Sequence, residues 1–239
     1  MDNDDLPVGR VLSRREAIAL VGSAGVALVG GSGLALAQSS SSARMCVVRP
    51  QQTEGPYFVD EKLNPSDIRS DPTTGKVKEG APLRLKFGVY KIGSACTPLA
   101  GAMIDVWHCD ALGVYSDASD PSFNSKGQKF LRGYQVTDAG GVAQFSTIYP
   151  GWYRGRTVHI HFKIRTSGSS PHEFTSQLYF DDALSDKVQA KPPYSAKSQR
   201  TMRNQDDGIY RSGGDQLMLA VSPVAAGYAA TFNIGLQMT

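Results

Sequence analysis

The stretch Thr157-Val158-His159-Ile160-His161-Phe162-Lys163-Ile164-Arg165 alternates apolar with polar side chains, and that alternation decides the fold. Successive side chains on a strand point to opposite faces, so Val158, Ile160, Phe162 and Ile164 share one face while His159, His161, Lys163 and Arg165 share the other. The same period recurs upstream, where Leu83, Leu85, Phe87 and Val89 are interleaved with Arg84, Lys86 and Gly88, and again in Ala102, Ile104 and Val106. Further strands are predicted over 142–148, 174–180, 217–221 and 229–236, separated by Gly, Pro, Asn and Asp. Only 196–204 carries a weak helical pattern. The spacing predicts an all-β protein, a β-sandwich of mostly antiparallel strands with long active-site loops and little helix.

Two imidazoles at i and i+2 on one strand face can reach the same ion, and neutral imidazole binds iron, copper and zinc. An isolated His-x-His fits a solvated strand face equally well. What precedes it is more telling: Thr147-Ile148-Tyr149-Pro150-Gly151-Trp152-Tyr153-Arg154-Gly155-Arg156 forms a tight aromatic turn running into His159. Earlier still lie Asp105-Val106-Trp107-His108-Cys109-Asp110-Ala111-Leu112-Gly113-Val114-Tyr115-Ser116 and Thr53-Glu54-Gly55-Pro56-Tyr57-Phe58. In this order the three segments resemble those of the intradiol ring-cleavage dioxygenases.

The resemblance implies that Tyr115, Tyr153, His159 and His161 hold a non-haem Fe(III) ion. Phenolate is a hard anionic donor that favours the ferric state, in keeping with such a set. It further implies that Arg156 faces the bound substrate as a charge-stabilising cation, that Tyr153 takes part in catalysis by leaving the metal, and that Gln177 lies near the oxygen site. Gly55, Pro56, Tyr57 and Trp107 become the substrate-binding residues. The partners implied are a small aromatic 1,2-diol and O2, and the product is a cis,cis-muconate-type diacid. Gly155 stands where better-known members carry a pocket aromatic on a longer insertion, so a more open pocket is expected. The rival reading is an exported β-sandwich that binds a metal or an aromatic ligand without turnover. His108, Asp110 and Asp117 are read as spare polar or turn residues.

Residues 1–37 read as an export signal, since Arg14 and Arg15 precede a weakly apolar stretch that ends in Ala35-Leu36-Ala37. Ser13-Arg14-Arg15-Glu16-Ala17-Ile18 resembles a twin-arginine signal, which implies a periplasmic or extracellular destination and no membrane contact after removal. A Ser-rich linker over 38–45 follows, and a single domain is expected over 46–239. The net charge of +3, without a basic run interleaved with aromatics, gives nucleic-acid binding no support.

Cys46, Cys96 and Cys109 allow one disulfide. Cys96 and Cys109 bracket the strand ending at Trp107, which alone spans about 20 Å at roughly 3.3 Å per residue. Disulfide partners need Cα atoms within about 7 Å, so Cys46 pairs with one of the other two. The resemblance favours Cys109, because it places the segments that follow Cys46 and Cys109 together around the iron; Cys46–Cys96 remains open.

Overall fold

The computed structural model describes residues 46–238. The export segment 1–37 and the linker 38–45 expected from the sequence lie outside the described residues. The strands are β1 (Pro82–Ile92), β2 (Cys96–Pro98), β3 (Met103–Trp107), β4 (Ser119–Asp120), β5 (Phe123–Asn124), β6 (Arg132–Val136), β7 (Val142–Ile148), β8 (His159–Arg165), β9 (Glu173–Tyr179), β10 (Ala220–Val224) and β11 (Gly227–Gln237). Two short helices, α1 (Asp182–Gln189) and α2 (Gly208–Arg211), lie between β9 and β10.

One sheet runs β10-β11-β1, with β7 and β2 sharing the far side of β1; the other runs β6-β3-β8-β9. The β1–β11 pair is parallel and the other pairs are antiparallel, which is the mostly antiparallel sandwich the alternation implies. Between the layers Phe162 of β8 meets Phe87 of β1 and Phe232 of β11, with ring centroids 5.4 and 5.5 Å apart. Ile160, Phe162 and Ile164 are fully buried on this face. Each such side chain contributes about 1.5–3 kcal/mol through removal from water.

The polar face of β8 is buried too, beneath the arm that runs from Gln52 to Glu61. Lys163 pairs with Glu54 and, at 3.0 Å, with Glu173, and its ammonium lies 4.3 Å from the centre of the Phe58 ring. Arg165 pairs with Asp60 at 2.9 Å and Asp105 at 2.8 Å. The arm is thus fastened to the sheet by charges on the strand that carries the two histidines. Among the described residues no helix is long and apolar enough to cross a membrane.

Three expectations are corrected. No helix forms over 196–204, where only single 3-10 turns occur, at Tyr194–Ala196 and Asn204–Asp206. Arg200 reaches instead to Asp182 and Asp186 at 2.7 and 2.9 Å, drawing the chain across α1. That helix went unanticipated although Asp181 caps it by accepting from Leu184 N. The strand expected at 217–221 is displaced to Ala220–Val224, because Gly214–Leu217 closes into a 3-10 turn behind Gly213.

The disulfide joins Cys46 to Cys96, with Cα atoms 5.8 Å apart, and Cys109 is a free, buried thiol. The pairing with Cys109 fails because β2 doubles back on β1, setting Cys96 opposite Ile92, which also faces Gln237 of β11. The chain after Cys46 passes this same end, where Gly235 N donates to Val47 O at 2.8 Å. Cys109 lies beyond β3 near the aromatic turn, its Sγ 3.4 Å from Gly151 O. Closing 50 residues contributes about 4 kcal/mol in the chain-entropy account.

Candidate active site

At the start of β8, His159 Nδ1–H donates to Thr157 O at 2.7 Å, which leaves a lone pair on Nε2. That Nε2 stands 3.0 Å from Tyr115 Oη and 3.0 Å from His161 Nε2. Tyr115 arrives on the loop after β3, whose turn is held by Asp110 accepting from Leu112 N and Val114 N. The turn bearing Tyr153 lies backbone to backbone against that loop. A Cβ on Gly151 would sit 2.4 Å from Ala111 O and 2.5 Å from Asp110 O, so only glycine allows the approach.

Tyr153 stands beside this trio, edge-on to Tyr115 with centroids 5.7 Å apart. Its hydroxyl is 2.6 Å from Tyr57 Oη, and both hydroxyls reach Asp120 Oδ2, at 2.7 Å from Tyr153 and 2.8 Å from Tyr57. Tyr57 stacks on Tyr115 at 4.6 Å. Gly55, with φ +71°, brings the arm so close that a Cβ there would lie 3.2 Å from His161 Cε1. Pro56 is exposed at the bend of the arm. Trp107 lies behind His161, its ring parallel to the imidazole within 10° at 5.1 Å. It supports a histidine from the buried side.

Burial holds the pKa of both His159 and His161 below the usual histidine value, so both rings are neutral and carry a lone pair. Burial likewise raises the Tyr115 hydroxyl. Asp120 is the site's standing anion: burial would raise its pKa, but hydrogen bonds from Ser122, Tyr153 and Tyr57 bring it below the ordinary carboxylate range.

This donor set fits a ferric ion. Donors bound to one ion by bonds of about 2.0–2.1 Å at nearly right angles lie about 3 Å apart, the spacing observed along Tyr115, His159 and His161. Among the described residues no group of three or more His, Cys, Asp and Glu could hold a metal, and the donor that stands 3.0 Å from His159 Nε2 beside His161 is the phenol oxygen of Tyr115. Phenols with imidazoles form a hard, charge-donating set suited to Fe(III).

Arg156 closes the site from the turn. Its Nε donates to Asp207 Oδ2 at 2.9 Å and its Nη2 to Gln177 Oε1 at 2.6 Å. Burial works against its charge, but Asp207 more than offsets this and the pKa rises above that of an ordinary arginine. Gln177 Nε2 in turn donates to Thr53 O at 3.0 Å, tying the arm to β9. Tyr179 lies beside Gln177 Oε1 at 3.1 Å.

Sequence reasoning missed Asp120, Asp207 and Tyr179. For Asp207 a signal existed, since Asp207-Gly208-Ile209-Tyr210 reads as a capped helix start; Asp120 and Tyr179 carry none. His108, read from the sequence as a spare polar residue, is instead buried and structural, with Nδ1 bonded to Cys109 O and Nε2 to Thr147 Oγ1. Asp117 holds a turn by accepting from Gly127 N.

The model of a family described as Dioxygenase matches residues 53–210. The chain is 30% identical over 148 residues to a chlorocatechol 1,2-dioxygenase of Rhodococcus opacus, covering 54% of each chain. It is also 30% identical over 153 residues to catechol 1,2-dioxygenase 2 of Acinetobacter lwoffii, covering 55% of this chain and 51% of that one. It spans about half the length of the curated relatives it matches. Among solved structures, an intradiol ring-cleavage dioxygenase from Tetranychus urticae superposes with a TM-score of 0.70 at 30% identity, covering 80% of this chain and 95% of that one. The match runs from Thr53 on the arm, through the aromatic turn and β8, to the helix behind Asp207, and by it the chain belongs to the intradiol ring-cleavage dioxygenase family.

Proposed function

We propose that the protein cleaves a catechol-type 1,2-diol between its hydroxylated carbons, consuming one O2 and giving a cis,cis-muconate-type diacid that keeps both oxygen atoms. The observation that carries this reading is the set of three donor atoms, Tyr115 Oη, His159 Nε2 and His161 Nε2, spaced at 3.0 Å beside Tyr153. Tyr115, Tyr153, His159 and His161 would hold the ion. Ferric iron, when bound, would supply a Lewis acid and template for the diol and its reaction with O2.

The chain's own groups do the rest. Tyr153, a phenolate while it holds the ion, would accept one proton of the incoming diol at Oη, and a hydroxide from solvent would take the other. Tyr57 with Asp120 would hold the resulting Tyr153 hydroxyl to one side through the contacts they already make. Arg156, set by Asp207 and Gln177, offers a fixed cation to the negative charge that grows on the substrate during ring opening. Gly55, Pro56 and Tyr57 cover the substrate from the arm. Trp107 keeps His161 from turning.

Export by the twin-arginine route is part of the same proposal. The Cys46–Cys96 bridge supports export as such, because disulfides persist in oxidising compartments and are rare in the cytosol, while the route rests on the sequence resemblance of residues 13–18 alone.

The test is oxygen uptake by the iron-loaded protein on catechol, hydroxyquinol and protocatechuate, with the product identified. The expected result is a red-brown protein that shifts colour when catechol is added without oxygen. Admitting air should then consume one O2 per diol and release the diacid. Colour and catechol binding without oxygen consumption on any of the three would replace this reading with that of a binding module.

A further inference from the structure

Asp207 is 2% exposed, and its two oxygens have separate tasks. Oδ1 accepts from Ile209 N at 2.8 Å and Tyr210 N at 3.2 Å, capping α2. Oδ2 accepts from Arg156 Nε and from Thr157 N, both at 2.9 Å. The carboxylate is therefore held by three backbone N–H groups before Arg156 is counted. These hydrogen bonds and the Arg156 charge keep it ionised against the opposing effect of burial.

A guanidinium is planar and its N–H groups diverge in fixed directions, so holding it at two of them fixes both its plane and its rotation. Here the two holds are Asp207 at Nε and Gln177 at Nη2. Gln177 is tied to Thr53 O of the arm, whereas Asp207 is tied to α2 and to the backbone of the turn. Of the two, only Asp207 brings a charge opposite to that of the guanidinium.

We propose that Asp207 is the positioning residue of this active site, orienting the Arg156 guanidinium toward the diol from a part of the chain 51 residues away. The proposal rests on Arg156 facing the substrate, as in the function proposed above. A carboxylate serving only to cap α2 would be a different matter, since asparagine and serine cap helices as well as aspartate does. That equivalence separates the two roles.

The experiment compares Asp207→Asn and Asp207→Ser, which both keep a cap, with Arg156→Ala and with the double variant Arg156→Ala/Asp207→Asn. Iron content, anaerobic catechol binding by colour, and kcat and KM per bound iron are measured for each. The expected result is full binding of catechol, an unchanged KM and a kcat per iron lowered about 10- to 100-fold in both Asp207 variants, the loss usual when an outer partner of a site is removed. In the Arg156→Ala background the Asn substitution should cost little more, because its effect passes through a side chain already gone. Full kcat per iron in both Asp207 variants, with Arg156→Ala still impaired, overturns the positioning role and leaves the function standing. Losses that multiply in the double variant overturn it as well. Full kcat in Arg156→Ala overturns the placing of Arg156 against the substrate and the positioning role with it.

Discussion

Replacing His159 by alanine is expected to leave a folded protein with little iron and no measurable ring cleavage. The imidazole is the middle donor of the three, 3.0 Å from both Tyr115 Oη and His161 Nε2, so its loss separates the remaining two and leaves no neighbour to substitute. Removing an outer partner of a metal ligand already costs about 10- to 100-fold in affinity or activity, and removing the ligand costs more. Tyr115→Phe should behave alike, because it keeps the stacked ring and deletes only the oxygen. The measurement is iron per chain by mass spectrometry after purification, together with oxygen uptake on catechol. Full iron occupancy in both variants would falsify the ligand assignment.

Arg156→Ala is expected to do the opposite to the metal and nearly as much to the rate. Iron and colour should remain, since the guanidinium touches Asp207 and Gln177 rather than the donor atoms. Turnover per iron should fall about 100-fold or more, the usual loss when a preoriented charge-stabilising donor is taken away. Arg156→Lys should recover little, because an ammonium cannot engage Asp207 and Gln177 at two diverging N–H groups. Steady-state kcat per iron decides it; an unchanged value would make Arg156 an ordinary turn residue.

Much of this was legible in the chain itself. The alternation in 157–165 gave β8 and the common direction of its two histidines, because a strand's side chains depend only on local geometry. The two tyrosines carry no such signal: an aromatic in a loop is usually core cover, and only the resemblance of three ordered segments singled out Tyr115 and Tyr153. Asp120 was invisible for a physical reason, since its partner Tyr153 lies 33 residues away and no periodicity encodes such a contact. Asp207 was legible as a helix cap alone, its bond to Arg156 51 residues away being equally unencoded. The disulfide failed likewise. Reasoning along the chain excluded Cys96–Cys109, but choosing between the remaining partners needed the turn by which β2 folds back on β1. The helical hint at 196–204 was real as a propensity and lost to Arg200, whose buried guanidinium answers to Asp182 and Asp186 instead.

The stacking of Trp107 on His161 would give the protein an optical probe of the iron proposed above. The chain has two tryptophans. Trp107 is buried, and its Nε1 has no hydrogen-bond partner among the described residues, so its emission belongs at the blue end of the indole range. Trp152 is more accessible, bonds through Nε1 to Ser198 O and lies under the Lys197 ammonium, so it emits further to the red. A ferric ion held at His161 Nε2 would lie at the edge of the ring on which Trp107 is stacked, and it would quench the blue component through energy and electron transfer that fall steeply with distance. Fluorescence at two wavelengths would then report the mean occupancy of the site with no diol present.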